Sequence, residues 1–202
     1  MPYLWRRLTP PQREELLHYR QLLRRPWHRP PHFQQGAIHY LLTAACYEHC
    51  PILGTHPARM AAFASSLLET LAATPGTSAP AAWCVLPNHY HVLVRCSDLK
   101  LTVRSTGQLH GKTSFQWNTE DGTRGRKVWH GVCDRAMRNE EHFWATVNYL
   151  HHNPVKHGYV DTWQDWPFSS AADFIAELGR DEAKSIWHRY PVDQYGEGWD
   201  DL

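Results

Sequence analysis

Two short patterns in this chain hold side chains that could do chemistry. The first is His89-Tyr90-His91. Residues two apart on a strand project from the same face, so both imidazoles can reach one metal ion while Tyr90 points the other way. Spacing alone does not make a metal site, because 15 histidines in 202 residues give about one such pair by chance. The second pattern is Tyr149 with Asn153, four residues later. A phenol with a reference pKa near 10 is a weak nucleophile at neutral pH, so it needs a site that assists its attack. A helix entered at Asn139 carries an apolar stripe of Phe143, Val147 and Leu150. At about 100° per residue Tyr149 then falls away from that stripe, on the side of His142, Thr146 and Asn153. The plainer alternative is an amphipathic surface tyrosine. His152 competes with Asn153 as a metal donor, and His151 and His157 lie close by in sequence.

The elements that must position these residues read as follows. Thr9, Pro10 and Gln12 have capping-box spacing for a short N-terminal helix, which Pro26, Pro30 and Pro31 separate from the main body. Residues 37–47 read as a strand and Pro57 to Ala73 as a helix, with Pro75-Gly76 as its stop. Residues 81–86 and 89–96 form two strands around a kink at Pro87-Asn88. Residues 99–118 read as a basic helix despite Gly107 and Gly111, followed by a loop over 119–127 and a strand over 128–137. Asn139 caps a last helix, with Glu140 and Glu141 in its first turn, and Pro154 is expected to limit its run. The order β-α-β-β-α with a split sheet predicts an α+β, ferredoxin-like sandwich with a central antiparallel sheet.

Composition sets the outer bounds. The chain is 42% hydrophobic and 20% charged, as expected of one globular domain with extensions at its ends. No apolar run reaches the roughly 20 residues of a membrane helix, and the N-terminal arginines are followed by no apolar signal stretch, so a soluble, cytoplasmic protein is expected. Five scattered cysteines are expected to be reduced, and Cys46 with Cys50 lacks the second pair of a zinc site. The formal charge of +1 averages an uneven distribution. Residues 1–30 hold seven arginines against two glutamates, residues 95–130 seven basic against three acidic groups, and residues 161–202 ten acidic against three basic. Such a pattern suits a polyanionic partner met by one face.

Two strings carry a resemblance to a known family. Leu86-Pro-Asn-His-Tyr-His-Val-Leu-Val94 and Asn148-Tyr-Leu-His-His-Asn-Pro-Val-Lys-His-Gly158 together resemble the REP-associated tyrosine transposases, relatives of the single-tyrosine HUH transposases. Trp129, Arg138-Asn-Glu-Glu141 and Trp166-Pro-Phe-Ser-Ser170 support the match, which covers about residues 36–170. It implies a catalytic domain at 36–170, and the basic helical appendage at 1–35 and the acidic extension at 171–202 lie outside it. Tyr90 departs from the apolar residue usual between the two histidines, and its strand geometry argues against a nucleophilic role.

The resemblance implies a metal-dependent endonuclease and strand transferase acting on single-stranded DNA beside hairpin-forming palindromes. Tyr149 would be the nucleophile, and His89, His91 and Asn153 the metal ligands. The product would be a 5′-phosphotyrosine with a free 3′-hydroxyl. Two imidazoles by themselves favour zinc, whereas the family implies magnesium or manganese. No nucleotide cofactor is required, and a monomer is expected over a dimer. DNA phosphates would meet Arg6, Arg7, Arg20, Arg24 and Arg25 in the appendage, and Arg104, Lys112, Arg124, Arg126 and Lys127 near the site. Of ten tryptophans, the loop-borne Trp117 and Trp27 are the expected stacking residues and Trp83 and Trp144 expected core. Two other readings stay open: a hairpin-binding protein that no longer cuts, and a zinc hydrolase using water, with His152 or His142 as third ligand.

Overall fold

The computed structural model describes residues 38–192 and Tyr195, together with residues 8–12, 14, 15 and 18 near the N-terminus. Within that N-terminal piece Pro10 to Gln12, Glu14, Glu15 and His18 are helical. Gln12 Oε1 accepts from the backbone N–H of Thr9 at 2.8 Å and from its hydroxyl at 3.0 Å, which satisfies a donor that a helix start leaves open. Arg6, Arg7, Arg20, Arg24, Arg25 and Trp27 lie outside the described residues.

Four strands make one antiparallel sheet: β1 (Ile38–Ala45), β2 (Ala82–Leu86), β3 (His89–Cys96) and β4 (Cys133–Ala136), in the spatial order β2-β3-β1-β4. Helix α1 (Pro57–Ala73) joins β1 to β2, and α2 (Leu99–Glu120) joins β3 to β4. This β-α-β-β-α-β path with its two longest strands side by side in the middle is the ferredoxin-like sandwich. Beyond it run α3 (Glu140–Lys156), α4 (Ala171–Leu178) and α5 (Arg180–Arg189). No helix among the described residues is long and apolar enough to cross a membrane.

Strand alternation divides the core in two. Tyr40, Leu42 and Ala44 of β1 and Tyr90, Val92 and Val94 of β3 pack against α1 and α2. Phe63 of α1 is the hub of that layer, with ring centroids 5.3 Å from Tyr90, 5.8 Å from Trp117 and 5.1 Å from Trp129. Leu41 and Leu93 face the other way, with Val147, Tyr149 and Leu150 of α3. Residues directly opposite in an antiparallel pair share a face. The pairing of Leu41 with Leu93 and Thr43 with His91 therefore puts the histidine side of β3 under α3.

Three expectations are corrected. Trp117 is not loop-borne: α2 continues to Glu120, so Trp117 follows Leu109 and Thr113 on the buried helix stripe and is 3% exposed. The strand expected over 128–137 pairs regularly only at Cys133–Ala136. Trp129 forms a single bridge to Cys46 and sends its indole N–H to Thr113 Oγ1 at 3.1 Å, which turns that stretch into the core. Pro154 does not stop α3, which runs on to Lys156. Proline there removes one hydrogen bond near the helix end, and burial of Asn153 and Pro154 against the sheet offsets that loss.

Two local devices fix the ends of these elements. Asn139 caps α3 by accepting from the His142 N–H at 2.8 Å. Asp98 caps α2 by accepting from Leu101 N–H at 2.9 Å. At the far end of α2, Arg59 reaches Asp121 at 2.6 Å and Glu120 at 3.0 Å, and Arg126 meets Asp121 at 2.7 Å. Asp121, shared by the two guanidiniums, ties α1 to the end of α2.

Candidate active site

The β2–β3 turn delivers the first histidine. Pro87-Asn88 makes that turn, and the loop after β1 lies against it: Gly54 N–H donates to Pro87 O at 2.8 Å. A Cβ on Gly54 would stand 2.3 Å from the Pro87 Cβ, so only glycine permits this approach. Asn88 then binds on both sides. Its Nδ2 donates to the His49 carbonyl at 3.3 Å, which leaves Oδ1 against His89 Nδ1 at 2.7 Å. An amide oxygen only accepts, so His89 holds its proton on Nδ1 and a lone pair on Nε2. The backbone that supplies the carbonyl is itself strained, since Glu48 and His49 both adopt positive φ, 54° and 53°.

His91 is set from the neighbouring strand. Thr43 Oγ1 lies 2.7 Å from its Nδ1. The two imidazoles meet edge to face with centroids 4.9 Å apart, and both are almost fully buried. Burial, and after it the surrounding His91, His157 and His49, holds His89 well below the ordinary imidazole range, while Asn153 acts in the opposite sense. His89 is thus the neutral imidazole that a metal ligand must be.

Helix α3 brings the other residues. Tyr149 lies with its ring 5.3 Å from His91, and Asn153, one turn later, is fully buried beside His89. His89 Nε2 and both polar atoms of the Asn153 side chain complete no hydrogen bond among the described residues. Buried polar atoms rarely stay unsatisfied, and two of these, His89 Nε2 and Asn153 Oδ1, carry lone pairs that a metal ion could accept. Among the described residues no three His, Cys, Asp or Glu side chains group to hold a metal; the groups gathered here are two imidazoles and an amide.

Tyr149 is also more enclosed than its place on the helix wheel suggested. It is 2% exposed and belongs to the second core layer. The enclosure is local to the site: Tyr195 lies 5.5 Å from its ring, and Lys156 Nζ stands 5.5 Å from its ring centroid. Tyr195 also meets His142 at 5.7 Å and hydrogen-bonds Thr146, so the expected side-mates of Tyr149 do gather there. Arg135 of β4 pairs with Leu41 and so emerges on this face. Its guanidinium pKa is lowered by burial, against the effect of Tyr195 and Tyr149.

Other sequence candidates fall elsewhere. Tyr90 points into the opposite layer, hydrogen-bonds His110 Nε2 at 3.0 Å, and has its phenol pKa driven far up by burial. His152 lies against Trp187, and His151 bonds Ser170 at 2.9 Å, so neither joins His89 and His91. Burial pushes the Cys46 thiol up to about 12, which disfavours a thiolate ligand. Arg104 and Lys112 are exposed on α2, across the sheet from Tyr149, Arg124 and Lys127 are exposed in the following loop, and Arg126 is held by Asp121. Sequence reasoning missed Thr43, Asn88, Arg135, Tyr195 and Lys156. Only Lys156 carried a signal, for it follows Tyr149 by two helical turns.

No protein-family model matches the chain. A Haemophilus influenzae protein named as a REP-associated tyrosine transposase is 32% identical over 102 residues, 43% of this chain and 55% of that protein. The REP-associated tyrosine transposase of Escherichia coli K12 is 31% identical over 117 residues, 57% of this chain and 62% of that protein. The chain thus spans a little over half the length of these curated relatives. A solved REP-associated tyrosine transposase bound to a REP hairpin superposes with a TM-score of 0.56 and 23% identity, covering 83% of this chain and 91% of the other. By sequence the chain is similar to two REP-associated tyrosine transposases over part of their length, and its fold resembles that of the solved one.

Proposed function

We propose that this protein cuts and rejoins single-stranded DNA beside hairpin-forming palindromes, with Tyr149 as the nucleophile. In the step, Tyr149 Oη bonds to the scissile phosphorus and the phosphorus–O3′ bond breaks. The phenol proton is lost and the departing 3′ oxygen gains one, leaving a 5′-phosphotyrosine and a free 3′-hydroxyl. The bond energy is kept in the new ester, so the same residues can run the reverse attack and rejoin a strand. The observation that carries this reading is the meeting of Tyr149 with His91 at 5.3 Å, beside the unsatisfied His89 Nε2 and Asn153 amide.

His89, His91 and Asn153 would hold a divalent ion, magnesium or manganese. Such an ion, when bound, polarises the phosphate and supplies the Lewis acid that three neutral ligands cannot. Because that donor set brings no negative charge, His89, His91 and Asn153 leave the charge balance to the DNA phosphate. Lys156 and Arg135 add positive charge where that phosphate must come. Arg104, Lys112, Arg124, Arg126 and Lys127, with Arg20, Arg24 and Arg25 of the N-terminal segment, are proposed to contact backbone phosphates farther along the DNA.

The test uses labelled single-stranded hairpins with flanking strands, manganese or magnesium, and a chelator control. A covalent adduct surviving denaturing electrophoresis is expected, and Tyr149→Phe should abolish it. Cleavage without an adduct would support water as the nucleophile instead, and binding without cleavage would support a hairpin-binding role. His152 and His142, the third-ligand candidates of the water-based reading, lie against Trp187 and Tyr195 instead.

A further inference from the structure

On the flank of α3, a cleft of about 330 Å³ opens between the 3₁₀ turn at Trp163–Asp165 and α5. Two of its walls are indoles. The ring centroids of Trp163 and Trp187 lie 6.5 Å apart, with the ring planes within 17° of parallel. Both are braced by α3: His151 stacks on Trp163 at 5.6 Å and 5°, and His152 lies 5.1 Å from Trp187. Both indoles are half-buried, while Arg180, Asp181 and Lys184 at the lip are exposed.

The spacing selects a class of occupant. Bases along a strand are about 3.4 Å apart, so a planar ring inserted between two parallel aromatic faces needs them roughly 7 Å apart. An aliphatic group would gain little from two flat faces. A cation would be drawn to the indoles but repelled by Arg180 and Lys184. A flat ring that carries an anion satisfies both the walls and the lip, and Asp181 can accept from an exocyclic amine on its edge.

We propose that this cleft receives one unstacked nucleobase of a single DNA strand, sandwiched between Trp163 and Trp187, with the adjoining phosphate held by Arg180 and Lys184. The proposal rests on the reading of the chain as a protein that acts on DNA strands. Its location gives it a role: His152, which braces Trp187, lies on α3 three residues after Tyr149, so a base held here is anchored against the helix that carries Tyr149.

The test compares the full-length protein's affinity for a single-stranded oligodeoxyadenylate and for its abasic counterpart, in chelator so that no cleavage occurs. The wild type should prefer the base-bearing strand by about five-fold or more, the scale of one base stacked on an aromatic residue. Trp187→Leu should erase the preference, and Trp187→Phe, which keeps a ring, should retain most of it. The surface variant Arg180→Gln with Lys184→Gln should weaken both strands while keeping the preference. Equal affinity of the wild type for the two strands, or an undiminished preference in Trp187→Leu, overturns the base site. Unchanged affinities in the double variant overturn the phosphate contact. Tyr149→Phe separates this from the cleavage reading, since it blocks adduct formation and should leave the preference intact.

Discussion

Thr43 Oγ1 lies 2.7 Å from His91 Nδ1, so a hydroxyl on β1 engages one nitrogen of an imidazole on β3 and orients its ring. When the hydroxyl accepts, Nδ1 keeps the proton and Nε2 the lone pair. Thr43→Val preserves shape and removes the partner. Manganese affinity, read by titration calorimetry, is expected to fall by about 10- to 100-fold, with Thr43→Ser close to wild type. Unchanged affinity in the valine variant would show that packing alone orients His91.

The donor set makes a second prediction. The proposed ligands His89, His91 and Asn153 are all neutral, so manganese should bind weakly to the free protein and more tightly when a single-stranded oligonucleotide supplies phosphate. Tight binding without DNA would mean that a further anionic ligand joins the site.

Acid should weaken the fold through His110. Its imidazole stacks on Trp129 at 4.4 Å, and burial lowers its pKa from 6.5 to about 3. The unfolded chain therefore takes up a proton that the folded one refuses. Stability is full above about pH 6.5 and declines as the pH falls toward 3, by up to about 1.4 kcal/mol per pH unit for this group. His110→Gln, which can still meet Tyr90, should flatten the fall in thermal midpoint between pH 7 and 5.

Asp121 acts in a lower window. Hydrogen bonding from Arg59, ahead of that from Arg126, holds its carboxyl down at about 2. Its support is present above the ordinary carboxylate range and is lost as the pH falls through that value. Asp121→Asn leaves Arg59, whose side chain is 6% exposed, with Glu120 as its acidic partner beside the Ile52 carbonyl. Because Glu120 remains and the network touches solvent, a loss of about 2 kcal/mol is expected, below the roughly 3–5 kcal/mol of a fully buried broken pair. Urea unfolding at pH 7 measures it.

Tyr195 covers the proposed nucleophile, with its ring 5.5 Å from Tyr149. Removing residues 193–202 should raise both the nitration of Tyr149 by a tyrosine-selective reagent and the rate of adduct formation. Equal rates would show that the acidic C-terminal segment does not restrain the site.

The parts of this structure that were legible in the sequence are those written in local pattern. Alternation put His89 and His91 on one face with Tyr90 on the other, and cap residues marked the start of α3, so the central strand and the tyrosine helix followed. Partners that depend on strand register were not legible: nothing near Thr43 or Asn88 announces the histidines they orient, because those contacts arise only when β1, β2 and β3 assemble. Burial was misjudged where one more helical turn mattered, as at Trp117, or where a distant segment folds over, as Tyr195 does on Tyr149. Trp163 and Trp187, 24 positions apart, become a pair only through the packing of α5 on α3.

The contact of Gly54 with Pro87 has a mechanical consequence. The loop after β1 acts as a stop against which the β2–β3 turn rests, with no slack for even one methyl group. A side chain placed at Gly54 would work as a wedge, tilting Asn88 and with it the ring of His89, while most of the sandwich beneath stayed intact. A change far from Tyr149 in the chain would thus first be felt as poorer ion capture, well before any loss of folded protein.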